Sequence, residues 1–414
     1  MRDMKDSGAE WIGKYPVSWN IQTIGSLFKV RNEKVNDTDY PPLSVTKGGI
    51  VPQMENVAKS DANDNRKMVL ADDFVINSRS DRKQSCGVSP LEGSVSLINT
   101  VLYPAKGAPV VPMYLNYLLK NYGFAEEFYR WGHGIVADLW TTRWQEMKSI
   151  LLPMPSREEQ QQIIKILDKK MTDIDKLITN VQNQIEKLKA YKQSVITEVV
   201  TKGLDLSVPM KDSGVEWIGD IPAHWDVVKT GRLFKENNRK PFGDDTPLSL
   251  SQVDGLIATD DMKESSLKTS TYDNWKRVEL GDLVLNRFKA HLGVLFAATL
   301  TGIVSFHYGV YEARQPLVSK FYEYLYHADQ YRAILGNASN GMVVGLQNLS
   351  NLNFYSTYSL YPPYEEQEEI VSYLDEKCSQ INRIISIKQE KIEKLEQYKC
   401  SLIYEYVTGK KEVS

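Results

Sequence analysis

From Ser156 to Lys202 the apolar residues recur in steps of three and four, at Ile163, Leu167, Met171, Ile174, Ile178, Val181, Ile185, Leu188, Val195 and Val199. A stripe this narrow and sustained predicts one unbroken helix that buries a single seam against a partner helix. Ser156-Arg157-Glu158-Glu159 reads as a capping box at its start, and Gly203 stands where a helix end needs positive φ. At about 1.5 Å per residue the helix is on the order of 65–70 Å long, a spacer rather than a core element. A second stripe follows at Ile370, Leu374, Ile381, Ile385, Ile392, Leu395 and Leu402. Glu158–Thr201 and Glu365–Thr408 are identical at 21 of 44 positions, including Glu-Glu-Gln at 158–160 and 365–367 and Ile-Glu-Lys-Leu at 185–188 and 392–395. The simplest packing for two matched heptad helices is an intramolecular coiled coil. A pair of exposed linkers and a zipper between chains remain open as alternatives. Val181 of the first helix aligns with Lys388 of the second, so the stripe is interrupted there.

The repetition extends beyond the helices. Met4–Lys29 matches Met210–Lys235 at 15 of 26 positions, through Lys-Asp-Ser-Gly-x-Glu-Trp-Ile-Gly and on to Trp19 and Trp225. Between these segments and the helices the sequence diverges, but short β-branched runs still correspond. They are 42–45 with 247–250, 73–77 with 282–286, and 94–96 with 302–305, all read as strands. Val111–Trp131 and Pro316–Leu335 carry tyrosine and leucine at helical spacing, which predicts amphipathic helices whose aromatics belong to the core. Long polar segments separate the strands at 46–67, 78–90, 132–144, 251–275 and 338–349, and loops of this length are where function concentrates. The fold class expected is mixed α+β (α/β), as two globular domains with two long antiparallel coiled-coil helices and an internal pseudo-twofold repeat. The boundaries expected are a first domain at 1–154, a spacer helix at 155–203, a second domain at 204–361 with a linker at 204–209, and a second spacer helix at 362–410.

Composition excludes little: 42% hydrophobic, 25% charged, net charge −3. Charge is locally segregated, however, with a basic stretch at 229–240 and an acidic one at 365–377. Cys86, Cys378 and Cys400 have neither disulfide nor zinc spacing, which fits a reducing cytoplasm. No run is long and apolar enough to predict a membrane span, so a cytoplasmic protein is expected. The five histidines form no metal pattern, and there is no P-loop and no dinucleotide fingerprint. Tyr361-Pro362-Pro363-Tyr364 lacks the polar first residue of an adenine-methyltransferase motif and reads as a strand-to-helix stop. Asp72 and Asp73 near Lys83 do not make a nuclease arrangement. No catalytic residue, metal site or cofactor is assigned to this chain.

The twice-occurring Lys-Asp-Ser-Gly-x-Glu-Trp-Ile-Gly…Trp segment and the twice-occurring Pro-x-x-Glu-Glu-Gln…Ile…Leu-Asp helix openings at 155–168 and 362–375 resemble the specificity subunit of type I restriction-modification systems, the HsdS family. The resemblance covers essentially the whole chain. It implies two target recognition domains, each reading one half of a split site in double-stranded DNA. It implies spacer helices that set the gap and dock methyltransferase subunits, two in number, and restriction subunits as further partners. S-adenosylmethionine and ATP with magnesium would then be held by the partner subunits, and this chain would have no catalysis of its own.

Reading bases or phosphates needs hydrogen-bonding or cationic side chains on exposed loops. In the first domain Thr46, Lys47, Arg79, Arg82, Lys83, His133 and Arg143 meet that description; in the second, Ser251, Gln252, Arg287, Lys289, His291, Asn340 and Gln347 do so. A coiled-coil adaptor that binds no DNA is the competing reading. Two unlike polar-looped domains beside retained helices favour DNA recognition over a scaffold.

Overall fold

The computed structural model describes residues 2–53, 65–79, 83–134, 140–262, 272, 274–339 and 348–413. The chain divides into two compact units, one of 1–182 with 389–414 and the other of 183–388. The division falls inside both long helices, so each unit holds one globular block and a part of each helix.

The long helices span Arg157–Lys202 and Tyr364–Val407. Within each unit the two helical stretches run antiparallel. In the first, Lys399 Nζ reaches Asp175 at 2.5 Å; in the second, Lys192 reaches Asn382 at 3.0 Å and Lys388 reaches Gln184 at 2.6 Å. Ile163, Leu167, Met171, Ile174, Ile178, Val181 and Ile185 are all buried, as the heptad stripe predicts. Toward the C-terminal end of the first helix the seam shifts to Ile196, Val199 and Val200, with Val195 only half-buried. Lys388, which interrupts the second stripe, is accommodated because its ammonium finds the Gln184 amide oxygen.

The main sheets of the two blocks share one topology. In the first, a four-stranded antiparallel sheet runs in the order Cys86–Val88, Phe74–Asn77, Asn99–Pro104, Phe28–Val30. In the second the same order is Leu295–Ala297, Leu283–Asn286, Tyr308–Ala313, Phe234–Glu236. All named strand pairs in both are antiparallel, and the blocks mix helix and sheet as the expected fold class has it. Each expected helix is in fact two. Val111–Trp131 breaks at Asn121, whose side-chain oxygen takes the Phe124 N–H at 3.0 Å and starts Tyr122–Arg130 afresh after Pro112–Leu118. Pro316–Leu335 breaks at Ala328, which is extended and separates Ser319–His327 from Asp329–Asn337. Tyr114, Phe124, Tyr322, Tyr326 and Tyr331 on these helices are buried in the core, whereas Tyr122 is exposed.

One glycine recurs for a packing reason. A Cβ at Gly93 would lie 2.4 Å from the Pro41 carbonyl, and one at Gly302 would lie 2.4 Å from that of Thr246. In both blocks a strand therefore passes too close to its neighbour for any side chain.

Candidate nucleic-acid interface

The retained motifs form clamps that fix each block onto its helices. Trp19 is 1% exposed and donates its indole N–H to Glu159 at 2.9 Å; Trp225 is 0% exposed and donates to Glu366 at 2.8 Å. Only half of the expected capping box therefore forms. Ser156 Oγ accepts the Glu159 N–H at 3.2 Å, but the Glu159 carboxylate is drawn away to Trp19 and to Arg2 at 2.6 Å. Gln160 donates to the Pro155 carbonyl at 3.0 Å and accepts the Val111 N–H at 2.8 Å; Gln367 does the same with Pro362 and Val318, each at 2.9 Å. The helix ends close the clamps: Gly409 (φ 74°) packs on Pro16 and Trp19, and Gly203 (φ 74°) on Pro222 and Trp225.

A third element also occurs twice. Tyr117 donates to Asp168 at 2.5 Å and Tyr324 to Asp375 at 2.5 Å. Burial, followed by the carboxylate bond, pushes both phenols well above the ordinary tyrosine range. Each pair lines a hollow, of about 540 Å³ in the first unit and about 460 Å³ in the second. The hollows share equivalent positions: Lys399 with Lys192, Ile403 with Ile196, and Met171 with Cys378. Where they differ, Lys47 and Lys120 in one face Gln252 and His327 in the other.

The loop residues sort into exposed side chains and side chains already engaged. In the first block Arg79 and His133 both bridge to Thr141 through backbone, with reciprocal 3.0 Å bonds between His133 and Thr141. Thr142 N–H bonds to Ser78 O at 3.0 Å, which ties the same strip of backbone to the sheet edge. Arg79, His133 and Arg143 are thus exposed and brought together on a pinned support. Lys83 is partly neutralised by Glu126 at 2.8 Å and lies 4.3 Å over the Tyr129 ring. Thr46 and Lys47 sit at the tip of the Leu43–Thr46/Gly49–Pro52 hairpin. The Thr46 hydroxyl is used within that turn, donating to Gly49 O at 2.9 Å, while Lys47 is exposed. Arg82 lies outside the described residues.

In the second block Ser251 and Gln252 occupy the matching hairpin, Leu248–Ser251/Gly255–Ala258. Ser251 Oγ bonds to Asp254 at 2.9 Å to shape the turn, and Gln252 is exposed. The expectation that Arg287 is an exposed reader is corrected by its surroundings. Its guanidinium contacts Glu236 at 2.5 Å and Asn351 at 2.9 Å, and Asn351 also accepts from Tyr311 at 2.7 Å. Burial opposes ionisation of Glu236, but Lys276 and Arg287 outweigh it and hold that carboxyl below its ordinary range. Arg287 is therefore a strut. Lys289 is exposed and His291 half-buried on the short 3-10 helix Arg287–Leu292, which closes at Gly293 with φ 72°. Asn340 and Gln347 lie outside the described residues.

Sequence reading missed an exposed aromatic group beside Lys289. Phe288 (39% exposed) and Phe306 (52%) flank His307, with ring centroids at 5.6 and 3.9 Å. Exposed aromatics of this kind are platforms for stacking. The signal available was Phe306-His307 following a strand, which sequence alone does not join to Phe288. Of the carboxylates already set aside as a nuclease arrangement, Asp73 is taken by Arg31 in a two-point bond at 2.7 and 2.9 Å. Among the described residues no group of three or more His, Cys, Asp or Glu could hold a metal, and no helix is long and apolar enough to cross a membrane.

Comparison with known proteins follows the same lines. No family model matches the chain. A Methanocaldococcus jannaschii protein named as the specificity subunit of the type I restriction enzyme MjaX is 26% identical over 249 residues, 54% of this chain and 55% of that protein. The type I restriction enzyme MjaVIII specificity subunit of the same organism is 37% identical over 95 residues, 23% of this chain and 21% of that one. The match thus spans about half the length of the first relative and about a fifth of the second. Among solved structures, a chain from a structure describing assembly and conformational transition of the type I R-M system aligns with TM-score 0.69 at 14% identity, over 95% of this chain and 98% of that chain. The HsdS subunit of Thermoanaerobacter tengcongensis aligns with TM-score 0.52 at 16% identity, over 98% and 99%. The chain is similar in sequence to specificity subunits of type I restriction enzymes, and it shares its fold with HsdS chains.

Proposed function

We propose that this chain is the specificity subunit of a type I restriction-modification complex, in which each globular block reads one half of a bipartite DNA site. The observation that carries the reading is the contrast inside the duplication. The Trp–Glu, Gln–Pro and Tyr–Asp clamps are the same twice, while the loops they support differ in every candidate contact. A protein that presents two unlike surfaces from one repeated frame suits a ligand made of two unlike half-sites. Arg79, His133 and Arg143 form the first reading group; Lys289 with the Phe288–Phe306–His307 platform forms the second, with Arg287 holding its base. The long helices set the unread gap and dock methyltransferase subunits, which hold S-adenosylmethionine, while restriction subunits supply ATP-dependent cleavage. This chain directs them and has no catalysis of its own.

The test is methylome sequencing of a host expressing this chain with its methyltransferase partner. Methylated adenines confined to a two-part motif with a fixed gap support the reading. An assembled complex that leaves no such motif sinks it in favour of an adaptor. Within that assay Arg79→Ala should relax or abolish one half-motif and leave the other intact. For a base contact the expected loss is about 1–3 kcal/mol in binding.

A further inference from the structure

The strands Gly93–Val95 and Gly302–Val304 each run into a four-residue turn, Ser96-Leu97-Ile98-Asn99 in the first unit and Ser305-Phe306-His307-Tyr308 in the second. A backbone bond closes each turn, Asn99 N–H to Ser96 O at 3.0 Å and Tyr308 N–H to Ser305 O at 2.9 Å. A lysine from the neighbouring strand braces each one. Lys67 Nζ donates to the Asn99 carbonyl at 2.6 Å, and Lys276 Nζ to that of Tyr308 at 3.0 Å. The two lysines hold the same register, opposite Val95 and Val304. At the second position of both turns stands a large apolar side chain held out in solvent: Leu97 is 42% exposed and Phe306 52%.

A single exposed apolar residue is ordinary. The same feature built twice, on a turn fixed by the same two bonds, is not explained by the packing of either unit, because a polar residue would serve the turn as well. Its neighbours indicate what covers it. Asn99 pairs with Asn77, two residues before Arg79, and Tyr308 pairs with Asn286, three before Lys289. Both turns therefore lie at the end of the sheet that bears the exposed cations assigned above to DNA. An apolar side chain on a rigid turn beside phosphate-seeking cations suits the one apolar surface of a duplex, the stacked faces of its bases. Leucine and phenylalanine reach that surface by prising a base step apart. We propose that Leu97 and Phe306 are wedges, each inserted at one base step of its half-site, so that the step is selected by how readily it unstacks. The proposal rests on the DNA reading above and adds to it two residues that discriminate sequence without a hydrogen bond.

The test uses the full chain assembled with its methyltransferase partner and duplexes carrying the two-part motif found by methylome sequencing. The fluorescent base 2-aminopurine, which brightens when unstacked, is placed in turn at each position of both half-sites and their flanks. The wild-type complex is expected to brighten one step in each half-site besides the methylated adenine. Leu97→Ser should lose that signal in one half-site and Phe306→Ser in the other, with affinity lowered about tenfold, while the signal at the methylated adenine persists at saturation. Leu97→Phe and Phe306→Leu should keep it. Leu91→Ser and Leu300→Ser, which change exposed leucines at the other end of the same strands, should alter nothing. Serine variants at 97 and 306 that match the wild type on a two-part motif overturn the wedge alone. So do variants that lose complex assembly instead of the unstacking signal, which would assign the turns to a protein contact. An assembled complex with no two-part motif overturns the wedge and the DNA reading together.

Discussion

The two units are a controlled comparison that the chain performs on itself. Trp19 with Glu159 and Gly409 in one, and Trp225 with Glu366 and Gly203 in the other, make the same closure from residues at matching places. The loops above them share almost nothing: Arg79, His133 and Arg143 gather around Thr141 in one, whereas the other turns Arg287 inward to Glu236. The lesson is that the core of the join between block and helix is kept in both units, with Arg2 beside one glutamate and His224 beside the other, while the presented surface differs. The harshest way to break the comparison is to remove the indoles. Trp19→Ala and Trp225→Ala each delete a fully buried aromatic and one of two partners of a glutamate, leaving Glu159 to Arg2 and Glu366 to His224, and should each cost about 3–5 kcal/mol. Hydrogen exchange read peptide by peptide would show the loss in the mutated unit. Should one change cost less than about 1 kcal/mol and the other its full amount, the two clamps are not equivalent.

A second difference is chemical. Lys120 in the first hollow is matched by His327 in the second. Burial, reinforced by the nearby Lys320 and Arg332, lowers His327 to about 4 although its backbone hydrogen bonds oppose this; Glu323 and Asp375 also line the hollow. A histidine depressed from its ordinary 6.5 contributes stability that is present above pH 6.5 and is lost as pH falls toward 4. The loss is up to about 3 kcal/mol. Denaturation at pH 7 and pH 4.5 should show this component in the native chain and not in His327→Gln. An identical pH response in that variant would assign the acid sensitivity to carboxylates instead.

How much of this was legible follows from the range of the interactions involved. The long helices could be read because a heptad stripe is local and repeats at every turn, from Ile163 to Ile185 without a gap. The strands at 74–77 and 283–286 could be read because three apolar residues ending in Asn, between turn signals, suffice. The helix breaks at Asn121 and Ala328 could not, since the amphipathic pattern continues through both and only the Asn121 cap reveals the first. The sites were less legible for a related reason. Arg287 looks like a free loop cation until Glu236, 51 residues earlier, is placed beside it. The Glu159 carboxylate looks like half of a capping box until Trp19, 140 residues away, claims it. Sequence shows which side chains can bond; only the fold shows which have already done so.

The glycine shared by the two blocks gives a finer test of the same frame. Gly93→Ala and Gly302→Ala each push a methyl group to 2.4 Å from a backbone carbonyl, of Pro41 and Thr246 respectively. The obstacle is backbone, so relief requires a strand to shift, at a cost of about 1–3 kcal/mol. Chemical denaturation should find the two variants alike within about 0.5 kcal/mol if the close approach is the same structural event in both units.

The smallest effect is also the most discriminating. Tyr117→Phe and Tyr324→Phe keep the ring and delete only the hydroxyl that reaches Asp168 or Asp375. Tyr117 and its aspartate are half open to solvent, which screens the bond, while Tyr324 is more enclosed, with an exposure of 8%. Loss of the bond should therefore cost about 0.5–1 kcal/mol at the first site and about 1–2 kcal/mol at the second. If the bonds serve only to hold block on helix, methylation of both half-motifs should persist in each variant in proportion to the folded fraction. If the hollow beside each pair also receives a methyltransferase subunit, the variants should lose complex assembly while thermal denaturation barely moves. Comparing the melting temperature with the yield of the assembled complex in the same preparations separates a strut from a docking contact, one unit at a time.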